Sequence, residues 1–216
     1  MNAIPHRLRR SHRRAFTLIE MLVVITIVAA LLLAGVALLR GTGPQARKSA
    51  NDLIYAMIDQ ARTTAITSRS DVILAIAEPG DLPSGDQRCR LGIFKVTEWP
   101  DSGDISATLL SRWKTLEIGV ALLPGDVDGI PNPLDGGELD IEFGSTKQSV
   151  TVHALVFNPR GRLRFPEGSS PVALRLAEGT YRNGVAVPYR GATDGGVIEN
   201  RIKIGRVSAR PYRFDG

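Results

Sequence analysis

A single cysteine, Cys89, stands among 216 residues. No internal disulfide can form and cysteine-rich metal clusters are excluded. A lone cysteine with no cue for a lowered pKa reads as a small inert side chain rather than a reactive thiol. Histidine is nearly as scarce. His6 and His12 fall in the first fifteen residues, which leaves His153, set in an apolar alternation, without a histidine partner in the rest of the chain. Triads are recognised by geometry and not by sequence position, and the scattered Ser and Asp residues form no catalytic constellation. The chain is read as a structural or binding protein, not an enzyme, with no cofactor. Acids are missing from the first fifteen residues, which carry Arg7, Arg9, Arg10, Arg13 and Arg14. Without those five, 22 of the 27 basic residues remain against 22 acidic ones, so the formal charge of +5 belongs to this arm. Charge is missing again between Met21 and Leu39, nineteen residues, and from Phe16 the stretch reaches 24 with Glu20 as its one charge.

At about 1.5 Å per residue, a helix over this stretch crosses a hydrocarbon core of about 30 Å. Arg40 closes its far end, and the arginines at its near end place the N-terminus on the cytoplasmic side. A secretory signal would have an apolar core of about 7 to 15 residues before a small-x-small cleavage site. Gly35-Val36-Ala37 supplies such a site, but the core is too long. Arg13-Arg14 before the apolar run suggests a twin-arginine signal, in which an acid inside the core would be out of place.

Ala15-Phe16-Thr17-Leu18-Ile19-Glu20 resembles the processing site of type IV prepilins and type II secretion pseudopilins. That resemblance implies a cut between Ala15 and Phe16 by a prepilin peptidase, N-methylation of Phe16, and retention of the apolar helix. Ala15 stands where the family most often has Gly, and it is small enough for processing to be expected. A carboxylate near mid-membrane costs about 2.5 to 3.5 kcal/mol, so Glu20 calls for a partner. Cleavage creates an amine on Phe16. In the filament that the resemblance implies, Glu20 of one subunit pairs with the Phe16 amine of a neighbour, which makes it an assembly residue. The plainer reading has Glu20, within two turns of the helix start, snorkelling to the interface and gaining from the helix dipole.

Beyond the membrane, Gly41-Thr42-Gly43-Pro44 predicts a kink or short break. Ala50, Leu53, Ile54, Met57, Ile58, Ala61, Ala65 and Ile66 then recur at three- and four-residue spacing as one apolar helical stripe. Strands are predicted at Val72–Ala77, Leu91–Val96, Leu139–Phe143 and Val150–Phe157, with further ones around Leu109–Trp113, Arg162–Phe165, Val172–Leu176 and Arg201–Val207. Turn clusters at 79–81, 83–86 and 132–137 separate them. Asn158-Pro159-Arg160-Gly161 reads as a structural turn. The fold class is α+β, type IV pilin-like, with a long N-terminal helix packed on an antiparallel β-sheet domain. Its segments are a leader at 1–15, a transmembrane half-helix at 16–40, a soluble helical continuation at 41–70 and a periplasmic β domain at 71–216. The 51–66 helix, the Leu155–Leu163 segment and the final strand through Gly205-Arg206-Val207 resemble the GspH/FimT group of minor pseudopilins, while 81–88 and 184–196 look like insertions.

Charge in the soluble part is divided. Glu78 to Gly144 holds thirteen acids and five bases, and Ser145 to Gly216 holds twelve bases and five acids. Complementary docking surfaces between subunits follow from such a division. Asp126-Val127-Asp128-Gly129, with Asp135, Glu138 and Asp140 nearby, has the carboxylates of a calcium loop, but Ile130 occupies a ligand position and a solvated acidic loop is the competing reading. At the basic end, Arg201, Lys203, Arg206, Arg210 and Arg213, with Tyr212 and Phe214 interleaved, could contact phosphates and stack on bases; a solvated sheet face or a protected edge has the same pattern. The expected protein is a minor pseudopilin in the inner membrane. Its partners are prepilin peptidase, other pilins through the N-terminal helix, and secretion cargo, with DNA uptake as the alternative and an exported enzyme set aside.

Overall fold

A computed structural model describes residues 18–40, 42–83, 85–144, 146–190 and 195–213, with the side chains of 30–40 and 42 left aside. The leader 1–15 and the expected cut between Ala15 and Phe16 lie outside the described residues. The chain divides into two units, Met1–Gly41 and Thr42–Gly216.

In the first unit, α1 spans Leu18–Arg40, about 34 Å at 1.5 Å per residue. Its described side chains, 18–29, are exposed on every side, whereas a helix on a protein core would hide one stripe. Thr26 Oγ1 donates to Leu22 O at 3.1 Å and Val23 O at 2.8 Å, so the one hydroxyl of this segment carries its own acceptors. Twelve described side chains cover about 18 Å of rise, and among the described residues no helix is long and apolar enough to cross a membrane. The span expected for 16–40 therefore rests on the sequence.

In the second unit, α2 spans Thr42–Ser68. The break expected at 41–44 does not include Thr42–Pro44, which are helical. Gly41 lies outside the described residues, while Gly43 and Pro44 belong to the first turn of α2, where the missing N–H of proline removes no helical bond. The stripe at Ala50, Ile54, Met57, Ile58, Ala61 and Ala65 is buried; Ile66 sits at its margin. Arg69, with φ of 51°, ends the helix and turns the chain into the first strand.

That strand, β1 (Val72–Ala77), is buried at every position. It pairs antiparallel with β2 (Arg90–Glu98) and with β7 (Gln148–Phe157). The remaining partners close a ring, since β2 pairs with β3 (Ile105–Leu109), β3 with β6 (Glu138–Phe143), and β6 with β7. The result is a five-stranded barrel without free edges, filled by Ile73, Phe94, Ile141, Val152 and Val156 among others. Alternate residues of β1, Val72, Leu74 and Ile76, face a second core shared with α2. Apolar cover on both faces explains why β1 reads as an unbroken apolar run.

A second sheet closes that core from the other side. β9 (Val172–Arg182) lies at its centre, flanked by β11 (Glu199–Ile204) along one edge and by β5 (Val120–Leu123) and β10 (Val185–Pro188) along the other. β12 (Pro211–Arg213) covers the outer edge of β11. The short strands β4 (Lys114–Thr115) and β8 (Leu163–Phe165) attach to β2 and β7.

Four expectations are corrected here. The β domain has two sheets and is not wholly antiparallel, because β3 and β6 run parallel; the chain crosses into the second sheet as β5 before returning, and a parallel pair needs such a crossover. The strand expected at Leu109–Trp113 lies at Ile105–Leu109 instead. Trp113 leaves the ladder and packs edge-on against Phe94, ring centres 5.5 Å apart, in room left by Gly92, where a Cβ would lie 2.9 Å from the indole. The last predicted strand stops at Ile204, and Gly205–Val207 turns away from it. Conversely β9 runs six residues past the predicted Leu176.

Candidate functional site

Of the processing and assembly residues, Glu20 lies in the first turn of α1, exposed. A negative charge there complements the partial positive charge of the helix N-terminus.

The basic end is split into residues with different tasks. Arg201 and Lys203 alternate with the buried Ile202 and Ile204, so they lie on the outer face of the second sheet. β12 covers the strand, which makes it internal and corrects the protected-edge reading. Arg201 is held by Glu199 at 3.0 Å and by Asp128 at 3.4 Å, and Glu199 also receives Arg175 at 2.8 Å. Arg206 is turned inward. Its guanidinium donates to Ser170 O at 2.5 Å, to Glu167 O at 3.3 Å and to Pro166 O. Burial holds its pKa below the usual arginine value. Lys203 is half-buried, facing Ala173 and Tyr212 in register. Arg213 approaches Tyr55 of α2, whose phenol is pushed up by burial and drawn partly back by that charge. Arg210 and Tyr212 are exposed, and Phe214 lies outside the described residues.

Arg206→Ala is therefore expected to act on stability. Three carbonyls lose a charged donor, which costs about 1 to 3 kcal/mol. A denaturant melt of the full chain that shows no loss would remove this structural role.

The carboxylates weighed as a calcium loop are each engaged elsewhere. Asp128 and Gly129, with φ of 51° and 75°, form the tight turn between Val127 and Ile130. Asp126 accepts from Asn132 N at 3.3 Å, Asp135 from Gly125 N at 2.7 Å, and Asp140 from Thr151 Oγ1 at 2.5 Å. Among the described residues no His, Cys, Asp and Glu group is arranged to hold a metal ion.

The structure also gathers groups that no local pattern announced. His153 is buried, its Nε2 3.8 Å from Glu78 and 3.9 Å from Glu138, and its Nδ1 forms no hydrogen bond among the described residues. Burial raises the pKa of Glu78 above the ordinary 4.5, an effect that His153 partly offsets and Asp81 and Glu138 reinforce. A carboxyl with a raised folded-state pKa binds more protons folded than unfolded, so it lowers stability as pH rises through that window. Glu78→Gln is expected to melt higher than the parent at neutral pH and to lose that advantage below the unfolded-state value. Equal melting-point differences at about pH 4 and pH 7.5 would contradict it. Cys89 is buried with its thiol pushed up by burial, consistent with an inert side chain. Under the first turn of α2, the buried Glu178 meets Arg47 at 3.7 Å, and a Cβ on Gly43 would lie 2.9 Å from its Oε2. That glycine makes room for an anion at a helix N-terminus.

The most specific signal lies in the N-terminal segment. Residues 10–36 match the prokaryotic N-terminal methylation motif. The motif indicates a type IV pilin-like protein, processed by prepilin peptidase and assembling with other pilins, and it suggests a membrane anchor. It points to a structural subunit rather than an enzyme. The match ends at Val36, before the second unit begins at Thr42. No curated protein and no solved structure matches the chain.

Proposed function

We propose that this chain is a minor pseudopilin of the GspH/FimT type, a subunit of a type II secretion or type IV pilus-like filament. The peptidase cuts between Ala15 and Phe16 and methylates Phe16. Residues 16–40 stay in the inner membrane with the N-terminus cytoplasmic, the β domain is periplasmic, and Glu20 pairs with the Phe16 amine of a neighbour. The observation that carries this reading is the match at 10–36, which coincides with the arginine-rich arm, Phe-Thr-Leu-Ile-Glu and the long uncharged run. Expression with and without a prepilin peptidase tests it. Only the strain with the enzyme should yield the shortened chain, and a length unchanged by the enzyme would overturn the reading.

DNA capture is the alternative, favoured by the exposed Arg210 and by the exposed Tyr212, which pairs in register with Lys203. Its probe is Arg210→Ala, because Arg206 is tied to carbonyls. Loss of one phosphate contact should flatten the salt dependence of affinity by about one unit of slope. An unchanged slope would count against it.

A further inference from the structure

Several exposed apolar side chains of the second unit gather at one end, around the first two turns of α2. Ile118, 77% exposed, lines one cleft with Gln45, Ala46 and Ser49 of those turns. Beneath the same turns, Glu178 holds its carboxylate against Gly43 and Arg47. Its main chain donates to Ile198 O at 3.0 Å and accepts from Tyr189 N at 2.7 Å. Residues level with one another across a ladder point to one face, so Tyr189 and Ile198 share the face of Glu178, which is turned toward the start of α2. Both are exposed, and Val197, level with Arg190 in the same arm, is exposed as well. Apolar side chains grouped in this way mark a surface that is covered in use.

Charge at this end is balanced, so it selects neither an anionic nor a cationic partner. Arg47 is matched by Glu178 and Arg88 by Asp86, and the exposed Lys48 and Arg190 stand against the exposed Glu117 and Asp52. Position along the chain does select one. Thr42, the first residue of α2, follows Arg40, the last of α1, by two residues, at most about 7 Å of chain. With 16–40 in the membrane, α2 starts at the lipid surface, and Ile118, Tyr189 and Ile198 lie around its start. Tyrosine favours that layer, where its ring is in an apolar setting and its hydroxyl is wet. The opposite end of the unit is remote from it. Gly161 packs on Ile66, and Leu163 N donates to Arg206 O at 2.9 Å, which brings the exposed Val207 toward the last turns of α2, where Ile66 is about 28 Å along the helix from Arg47.

We propose that, in the membrane-held subunit, the end of the second unit formed by Ile118, Tyr189, Val197 and Ile198 rests in the headgroup layer of the bilayer. This contact rests on the reading of 16–40 as a retained membrane span, and adds to that span a second, shallow attachment made by the folded unit. Apolar side chains carry it, sinking about 5 to 10 Å into the boundary between headgroups and acyl chains. The balanced charge makes it indifferent to the charge of the lipid.

Lipid-borne quenching of a fluorophore on the full chain in vesicles tests this, since the buried Cys89 stays silent to labelling. Ile118→Cys, Tyr189→Cys and Val207→Cys each carry one environment-sensitive label, and the quencher is a spin label on the shallow acyl carbons of phosphatidylcholine. Labels at 118 and 189 are expected to be quenched about fivefold more than the label at 207, equally in vesicles with and without phosphatidylglycerol. Tyr189→Asp with Ile198→Asp should lower the quenching at 118 about fivefold, and unchanged quenching in that variant would contradict the contact. Quenching at 118 no greater than at 207, in chain that floats with the vesicles, overturns the contact and leaves the membrane span intact; a chain that does not float overturns the span itself. A label at 118 that is blue-shifted but unquenched means that a protein, a second copy or another pilin, covers this end, and also overturns the contact. Quenching that appears only with phosphatidylglycerol does the same, since attraction of charge would then hold the unit.

Discussion

Glu20→Ala is expected to leave insertion and cleavage intact while reducing filament incorporation by more than a hundredfold. Two physical accounts of this acid differ in magnitude. In the first turn of α1, a carboxylate gains about 0.3 to 1 kcal/mol from the helix dipole, so its loss would change an assembly equilibrium about fivefold at most. A carboxylate paired with an amine in the low dielectric of packed helices is different, because removing one partner strands the other at a cost of about 3 to 5 kcal/mol. The fraction of mature chain recovered in sheared filaments, against that left in the membrane, separates the two. A decrease of fivefold or less would return Glu20 to the dipole and the interface. Thr26, whose hydroxyl is satisfied within its own helix, serves as the control, since Thr26→Ala removes a polar group without removing a partner for the neighbour.

Phe94→Ala is expected to cost about 3 to 5 kcal/mol of stability, a large share of the about 5 to 15 kcal/mol that holds a domain together. Phe94 is fully buried inside the barrel, edge-on to Trp113 and, at 5.1 Å, to Phe143. Aromatic pairs of this geometry contribute about 0.5 to 1.5 kcal/mol beyond area burial. The three rings link β2, the segment before β4, and β6, so the cavity opens beside the parallel β3–β6 seam, where only three residue pairs join the strands. Urea melts of the full chain in detergent measure the loss, and a value below about 1 kcal/mol would mean that the barrel interior repacks freely. Ile118, 77% exposed, should tolerate the same substitution without measurable change.

Elements with strong local periodicity were legible in the sequence. The α2 stripe shows because a helix on a core must repeat its apolar residues every three to four positions, and β1, β2, β6 and β7 show because their alternations or apolar runs are long. The barrel closure was not legible. β3 and β6 are far apart in the chain, their pairing is short, and nothing local distinguishes a parallel partner from an antiparallel one. Trp113 looked like part of a strand because aromatic residues favour strands, and only the space above Gly92 explains its departure. At the basic end the residue types were visible but not their tasks. Arg206 differs from Arg210 only because the 166–170 carbonyls happen to converge on it. The buried Glu178 and the His153 cluster likewise depend on residues brought together from distant segments, Gly43 and Arg47 in one case and Glu78 and Glu138 in the other. The processing motif stands apart, since a peptidase reads a short contiguous stretch and the signal is wholly local.

The central claim is that cleavage creates the amine that Glu20 needs while keeping the helix. Intact-mass analysis of the mature chain from its native membrane tests it most directly. The account predicts a chain that begins at Phe16, carries one methyl group on that residue and retains the apolar helix. A mature chain that begins beyond the apolar run, as after cleavage at Gly35-Val36-Ala37, or one that keeps its first fifteen residues, would contradict it.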